Sequence, residues 1–170
     1  MKLFRSDLEQ HISNQLFEIS ADSLDLNDLQ VAGGQLACTL SIDPTPHGYH
    51  IYGALKIRVH ETCDRCLTEF EEKHESPLNV ILTDNEELLS EKNVDVIRFE
   101  TSDEFIDLSP VIHDLVVLEE PIKRLCDKAC KGLCPSCGIN LNKATCACSA
   151  SANDFRWDAL KNLKNKDLLE

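Results

Sequence analysis

Six cysteines fall between Cys126 and Cys148, in the run CDKACKGLCPSCGINLNKATCAC, and this density limits what the chain can become. Four thiolates close a tetrahedral structural zinc site, so six are too many for one site and too few for two. The missing pair lies in HETCDRCLTEF, where Cys63 and Cys66 stand in C-x2-C spacing between two extended segments. A tight turn there aims both sulfurs at one metal and leaves Asp64 and Arg65 outside. Eight thiolates make two zinc sites. In the late run, Cys134 and Cys137 form a CPSCG knuckle in which the proline shapes the turn and Gly138 lets backbone N–H groups approach the sulfur. Cys146 and Cys148 complete that site across the loop INLNKATCA. Cys126 and Cys130 then join Cys63 and Cys66, and their four-residue offset sets them side by side if the segment forms a helical turn. The first site would tie an N-terminal body to the tail, whereas the second would close only its own loop.

The chain has nine cysteines, an odd count. Its opening, MKLFRSDLEQHISNQ, has no apolar run of signal-peptide length, and no stretch approaches the roughly 20 apolar residues that span a bilayer. The expectation is a cytoplasmic protein without membrane association, whose cysteines are thiols and metal ligands rather than a disulfide framework. The net charge of −13 is unevenly spread: residues 1–120 carry 8 Lys and Arg against 25 Asp and Glu, a balance of −17, and residues 121–170 carry 9 against 5, a balance of +4. Zinc thiolates would lower the tail further. An acidic body disfavours nonspecific nucleic-acid binding by the whole surface and suits a basic protein partner, while the tail can touch RNA.

Most of the first 110 residues read as strands. Leu36, Cys38, Leu40 and Ile42 alternate with small and polar residues. After PTPHG the alternation resumes with Ile51, Leu55, Ile57 and Val59 against Tyr52, Lys56, Arg58 and His60, which makes a hairpin with one buried face. Further strands are expected at Leu78–Leu82, Val94–Phe99 and Phe105–Leu108, in an antiparallel sheet, with the acidic loop DNEELLSEKN between the first two. Ser109 can cap a helix with Pro110 at its first position, along which Val111, Leu115 and Leu118 recur until Pro121 stops it. A last helix near Asn153 carries Trp157, Leu160 and Leu163 on one stripe and Lys161, Lys164 and Lys166 toward its end. The fold class is therefore α+β: a mainly antiparallel β body over 1–120, a cysteine-rich zinc module over 121–150 and a C-terminal helix over 151–170.

Competing chemistries fit less well. Cys130, Cys134 and Cys137 spell the C-x3-C-x2-C of radical S-adenosylmethionine enzymes, but only 33 residues follow, too few for the barrel such chemistry needs. CDRC lies between strands and does not open the helix of a βαβ unit, which argues against a thioredoxin-like site. Cys38 belongs to the apolar set of its strand and reads as an inert buried thiol. His60 and His74 flank the CDRC turn and are alternative ligands, although the polar face of a strand accounts for them; His47 and His50 belong to a turn. No nucleophile–base arrangement, phosphate loop or paired carboxylate stands out, so no catalytic residue, small-molecule substrate or organic cofactor is expected. Closed four-thiolate zinc favours a scaffold over a catalyst.

Four stretches together resemble a known family: CDRCL at Cys63–Leu67, LEEPI at Leu118–Ile122, the C-x3-C-x-GLCPSCG-x-NLN run followed by C-x-C, and the terminal DFRWDALKNL. They resemble the YceD family of large ribosomal RNA subunit accumulation proteins, found in bacteria and chloroplasts. Phe155 stands where the family pattern leads us to expect proline. The resemblance implies a non-enzymatic factor supporting accumulation of large-subunit ribosomal RNA through processing or assembly, with a β-rich body and cysteine-bound metal. The expected partner is a ribosomal precursor particle, met through a basic ribosomal protein or assembly factor and through ribosomal RNA. Two alternatives come from the residues alone. One is a redox-switched chaperone that loses zinc on oxidation, and the other is a zinc-stabilised adaptor unrelated to RNA.

Overall fold

A computed structural model describes residues 1–26, 29–89, 95–100 and 102–148. The helix expected over 151–170 lies outside them. The elements in chain order are β1 (Lys2–Phe4), α1 (Arg5–Glu9), β2 (Gln15–Ser20), β3 (Gln30–Val31), β4 (Gln35–Thr45), β5 (Gly48–Thr62), β6 (Glu69–Thr83), α2 (Glu86–Leu89), β7 (Asp95–Arg98), β8 (Phe105–Asp107) and α3 (Ser109–Glu119). The chain divides into two compact units, one of Met1–Asp64 with Thr68–Cys126 and the other of Arg65–Leu67 with Asp127–Glu170.

The first unit is built on a six-stranded sheet in the order β2-β4-β5-β6-β7, with β3 also paired to β5. The expected hairpin is its centre: Ala37–Thr45 of β4 pairs antiparallel with Gly48–Lys56 of β5, and all of β5 then pairs with β6. Alternation sets the buried face, because successive strand side chains point to opposite sides. Leu36, Cys38, Leu40 and Ile42 of β4, Ile51, Leu55, Ile57 and Val59 of β5, and Leu78, Val80 and Leu82 of β6 all face one core. Leu3, Leu8, Leu108, Ile112 and Val116 meet them there from the short segments on that side. Each such Leu or Ile, fully buried, contributes about 1.5–3 kcal/mol before entropy is subtracted.

Four expectations change. The sheet is not wholly antiparallel: β7 runs parallel to β6, with Val80–Thr83 against Asp95–Arg98. The strand at Phe105–Asp107 lies outside this sheet and pairs instead with β1 in a two-stranded ladder. In α3 the buried stripe is Ile112 and Val116, and Leu118 is 81% exposed. The segment VIHDLVVL is apolar on two adjacent stripes, so spacing alone does not choose between them. Ser109 does not cap this helix with its hydroxyl. The Asp107 carboxylate accepts the Ser109 N–H at 2.9 Å, and Pro110 sits within the first turn, where its missing N–H costs nothing. Among the described residues no helix is long and apolar enough to cross a membrane.

Candidate metal centres

The CDRC segment joins two long strands, β5 and β6, and Cys63 follows directly on β5. The Cys63 N–H donates to the Thr68 carbonyl at 3.0 Å, which closes the turn, and Leu67 takes a left-handed φ of 55° to complete it. Arg65 anchors the turn to the late cysteine run inside the second unit. Its guanidinium donates to the Cys130 carbonyl at 2.9 Å, and its own carbonyl accepts the Leu133 N–H at 3.0 Å. Cys126 and Cys130 are not brought together by a helical turn. The Asp127 carboxylate accepts the Ala129 N–H at 2.7 Å and the Cys130 N–H reaches the Asp127 carbonyl at 3.0 Å, a tight turn stabilised by the aspartate. Aspartate competes for backbone donors in this way and draws the chain out of helix.

The second knuckle is a small hairpin. Leu133 and Asn140 form an antiparallel bridge, the Cys134 N–H donates to the Ile139 carbonyl, and the Gly138 N–H donates to the Cys134 carbonyl, both at 2.9 Å. Gly138 has φ of 72°, the left-handed value that this turn requires. Its N–H therefore serves a carbonyl. The N–H groups of Cys137 and Ser136 are the ones that reach the Cys134 sulfur, and with the Cys146 thiol they pull its pKa down to about 6. The Cys148 thiol is pushed up to about 12 by the thiols of Cys137 and Cys134 beside it.

All eight cysteines expected as ligands fall into two foursomes. The sulfurs of Cys63, Cys66, Cys126 and Cys130 lie within 4.8 Å of one another, as do those of Cys134, Cys137, Cys146 and Cys148. Tetrahedral zinc with Zn–S bonds of about 2.3 Å sets sulfurs about 3.8 Å apart, within the range that each group spans. Cys63, Cys66, Cys130 and Cys134 are buried, whereas Cys126, Cys137 and Cys148 are exposed. Asn142, which the spacing of cysteines does not flag, donates from its side-chain amide to the Cys130 sulfur at 3.2 Å and accepts the Lys131 N–H at 2.8 Å. An amide donor at a sulfur favours thiolate, the form a metal needs. The signal for it was present as Asn140 and Asn142 in INLNK, two turn-forming residues that the structure links through the Asn142 N–H and the Asn140 side chain.

The histidines fall elsewhere. His60 lies 3.7 Å from Glu71 and His74 lies 3.8 Å from Glu61, and neither joins the two foursomes. His47 lies at the turn between β4 and β5, and its carbonyl accepts the Thr83 hydroxyl. Cys38 is buried in the sheet core, and burial pushes its thiol up to about 11.

A profile described as "Large ribosomal RNA subunit accumulation protein YceD" matches residues 51–164, from the start of the second central strand through the whole cysteine run. The chain is 43% identical over 72 residues to the large ribosomal RNA subunit accumulation protein YCED homolog 1, chloroplastic, of Arabidopsis thaliana; the match covers 42% of this chain and 22% of that protein. The Zea mays counterpart is 42% identical over 55 residues, covering 32% of this chain and 19% of the relative. An uncharacterized protein of Mycobacterium tuberculosis is 28% identical over 109 residues, 64% of this chain and 53% of its own length. The chain thus spans about a fifth of the chloroplast relatives and about half of the mycobacterial one. No solved structure is significantly similar. With two thirds of its residues under one profile, the chain belongs to the YceD family of large ribosomal RNA subunit accumulation proteins.

Proposed function

We propose that this protein is a non-enzymatic factor that supports accumulation of large-subunit ribosomal RNA during processing or assembly. One observation carries the reading: the stretch matched by the family profile holds both four-cysteine groups, and four thiolates around one ion leave no position for substrate. Zinc in each group is a structural clamp on turns too polar to pack by themselves, which suits a scaffold. The partner is a ribosomal precursor particle, and the acidic body, with its balance of −17 over residues 1–120, meets a basic ribosomal protein or assembly factor. The site of action is wherever ribosomes assemble, which in a bacterial cell is the cytoplasm.

The test is depletion followed by measurement of mature and precursor large-subunit RNA, with sedimentation of the tagged protein at low salt. The expected result is loss of mature large-subunit RNA relative to small-subunit RNA, and protein in the precursor fractions. Unchanged RNA with all the protein at the top of the gradient refutes the proposal. The redox-switched chaperone is separated by adding oxidant, since it alone requires binding of unfolded clients to appear as zinc leaves.

A further inference from the structure

Within the unit that carries most of the negative charge, three cations gather on one strand pair, between Glu75 and Glu71 of the same face. Residues 1–120 hold eight Lys and Arg, and three of them, Lys56, Arg58 and Lys73, lie together on the sheet face opposite the core. Register puts them there: Lys56 stands opposite Glu75, and Arg58 directly opposite Lys73. They line a groove of about 510 Å³ together with Glu18, Gln35 and Glu75. Lys56 is held by Glu75 at 3.4 Å, an exposed and weak ion pair, whereas Arg58 and Lys73 form no ion pair with any described residue. Two like charges directly opposite on neighbouring strands repel, and an anion placed between them reverses the sign of that interaction.

The same face continues into an aromatic ledge. On β5, Tyr52 and His50 point to the side of Lys56 and Arg58, their ring centroids 5.0 Å apart, and the Asn79 side-chain oxygen accepts from His50 Nε2–H at 2.7 Å. Tyr52 is 38% exposed, and Leu16 of β2, two strands over, 58%. Between ledge and cations lie Ala54 and Pro77, a smooth floor without charge. At about 3.4 Å per residue, Tyr52 and Arg58 are about 20 Å apart along the strand, room for a few nucleotides. We infer that this open sheet face binds a single-stranded segment of RNA, with phosphates on Lys56, Arg58 and Lys73 and a base stacked on Tyr52. An acidic polypeptide would satisfy the cations but leave the ring ledge without a role; a nucleic acid offers both a phosphate and a π-face.

The inference rests on the ribosomal RNA reading and names the surface that would serve it. The full-length protein with its metal is titrated with an unstructured single-stranded oligonucleotide from large-subunit ribosomal RNA and, separately, with polyglutamate. The variants are Tyr52→Ala and the triple change Lys56→Gln, Arg58→Gln and Lys73→Gln. All four side chains are exposed, and thermal unfolding checks that the sheet survives. Each phosphate contact on a single strand contributes about −0.7 to the slope of log affinity against log salt, so the triple variant should flatten that slope by about 2. Tyr52→Ala should weaken binding by about five-fold or more with the slope unchanged. Equal slopes for wild type and triple variant, absence of RNA binding by the wild type, or polyglutamate bound as tightly as RNA would each overturn the inference. Complementation of depleted cells separates it from the function itself: normal RNA levels restored by the triple variant sink the surface and leave the family role standing, whereas depletion without effect on RNA sinks the role.

Discussion

Asp64 and Arg124 exchange two hydrogen bonds across sixty residues of sequence: the Arg124 N–H donates to the Asp64 carboxylate at 2.7 Å, and the Asp64 N–H donates to the Arg124 carbonyl at 2.9 Å. Each residue is one or two positions from a cysteine of the first foursome, Cys63 on one side and Cys126 on the other. The spacer of C-x2-C is therefore a structural part of the site. Its aspartate fixes how the second strand of chain approaches, through its side chain and its backbone N–H together.

Metal stoichiometry should divide by foursome. The isolated protein should be colourless and hold two zinc ions. Cys63→Ser and Cys148→Ser should each remove one, since a four-thiolate site missing a ligand loses most of the roughly 10–16 kcal/mol that structural zinc provides. Hydrogen exchange tells which one: the N–H groups of Cys63, Asp64 and Leu133 should lose protection in Cys63→Ser and keep it in Cys148→Ser. Loss of both ions from either variant would show that the sites do not fold independently.

Two glycines should respond unequally to alanine. Gly132 and Gly138 both have left-handed φ, 74° and 72°, which costs an alanine about 1–2 kcal/mol. At Gly132 the added Cβ would also lie 3.0 Å from the Arg65 carbonyl oxygen, the acceptor of the Leu133 N–H, whereas at Gly138 it meets nothing within 4 Å. Gly132→Ala should therefore speed transfer of the first zinc to a chelator more than Gly138→Ala speeds the second. Equal acceleration would remove the steric argument.

Asp107 makes stability depend on acid. The backbone N–H of Ser109, and then its hydroxyl, hold the Asp107 carboxyl below the usual carboxylate range. A depressed folded-state pKa means that the contribution is present above the unfolded value of about 3.9 and disappears as pH falls through the lower folded value. Asp107→Ala should cost about 1 kcal/mol near neutral pH, the typical worth of a side-chain acceptor at a helix start. The difference from wild type in thermal unfolding should close as the pH falls from about 3.9 through the lower folded-state value. A gap that stays constant down to that pH would assign the effect to packing instead.

Cys38 should behave unlike the other eight cysteines. Its burial and raised pKa keep it a thiol, and no foursome includes it. Alkylation after removal of the metal should label the cluster cysteines long before Cys38, and Cys38→Ala should retain two zinc ions while losing stability through the small cavity. Loss of a zinc ion from that variant would give Cys38 a ligand role.

The spacings set Cys63 beside Cys66 and Cys134 beside Cys137, the two C-x2-C pairs, and put Cys146 and Cys148 within loop reach of the second, which left Cys126 and Cys130 to the first by elimination; the turn that brings those two together came from the fold. Strict alternation likewise settled the β4–β5 hairpin and its buried face, since shifting register by one residue would turn Leu36, Leu40 and Ile51 to solvent. Where the pattern was degenerate, tertiary structure decided. The segment VIHDLVVL could bury either of two stripes, and contact with the sheet core chose Ile112 and Val116 over Leu118. The parallel direction of β7, the ladder between β1 and β8, and the meeting of Arg58 with Lys73 follow from which strands become neighbours, which no local pattern encodes. So too the amide of Asn142 at the Cys130 sulfur and the bonds between Asp64 and Arg124: polar groups of ordinary type, given a role only by the turns that bring them within hydrogen-bond distance.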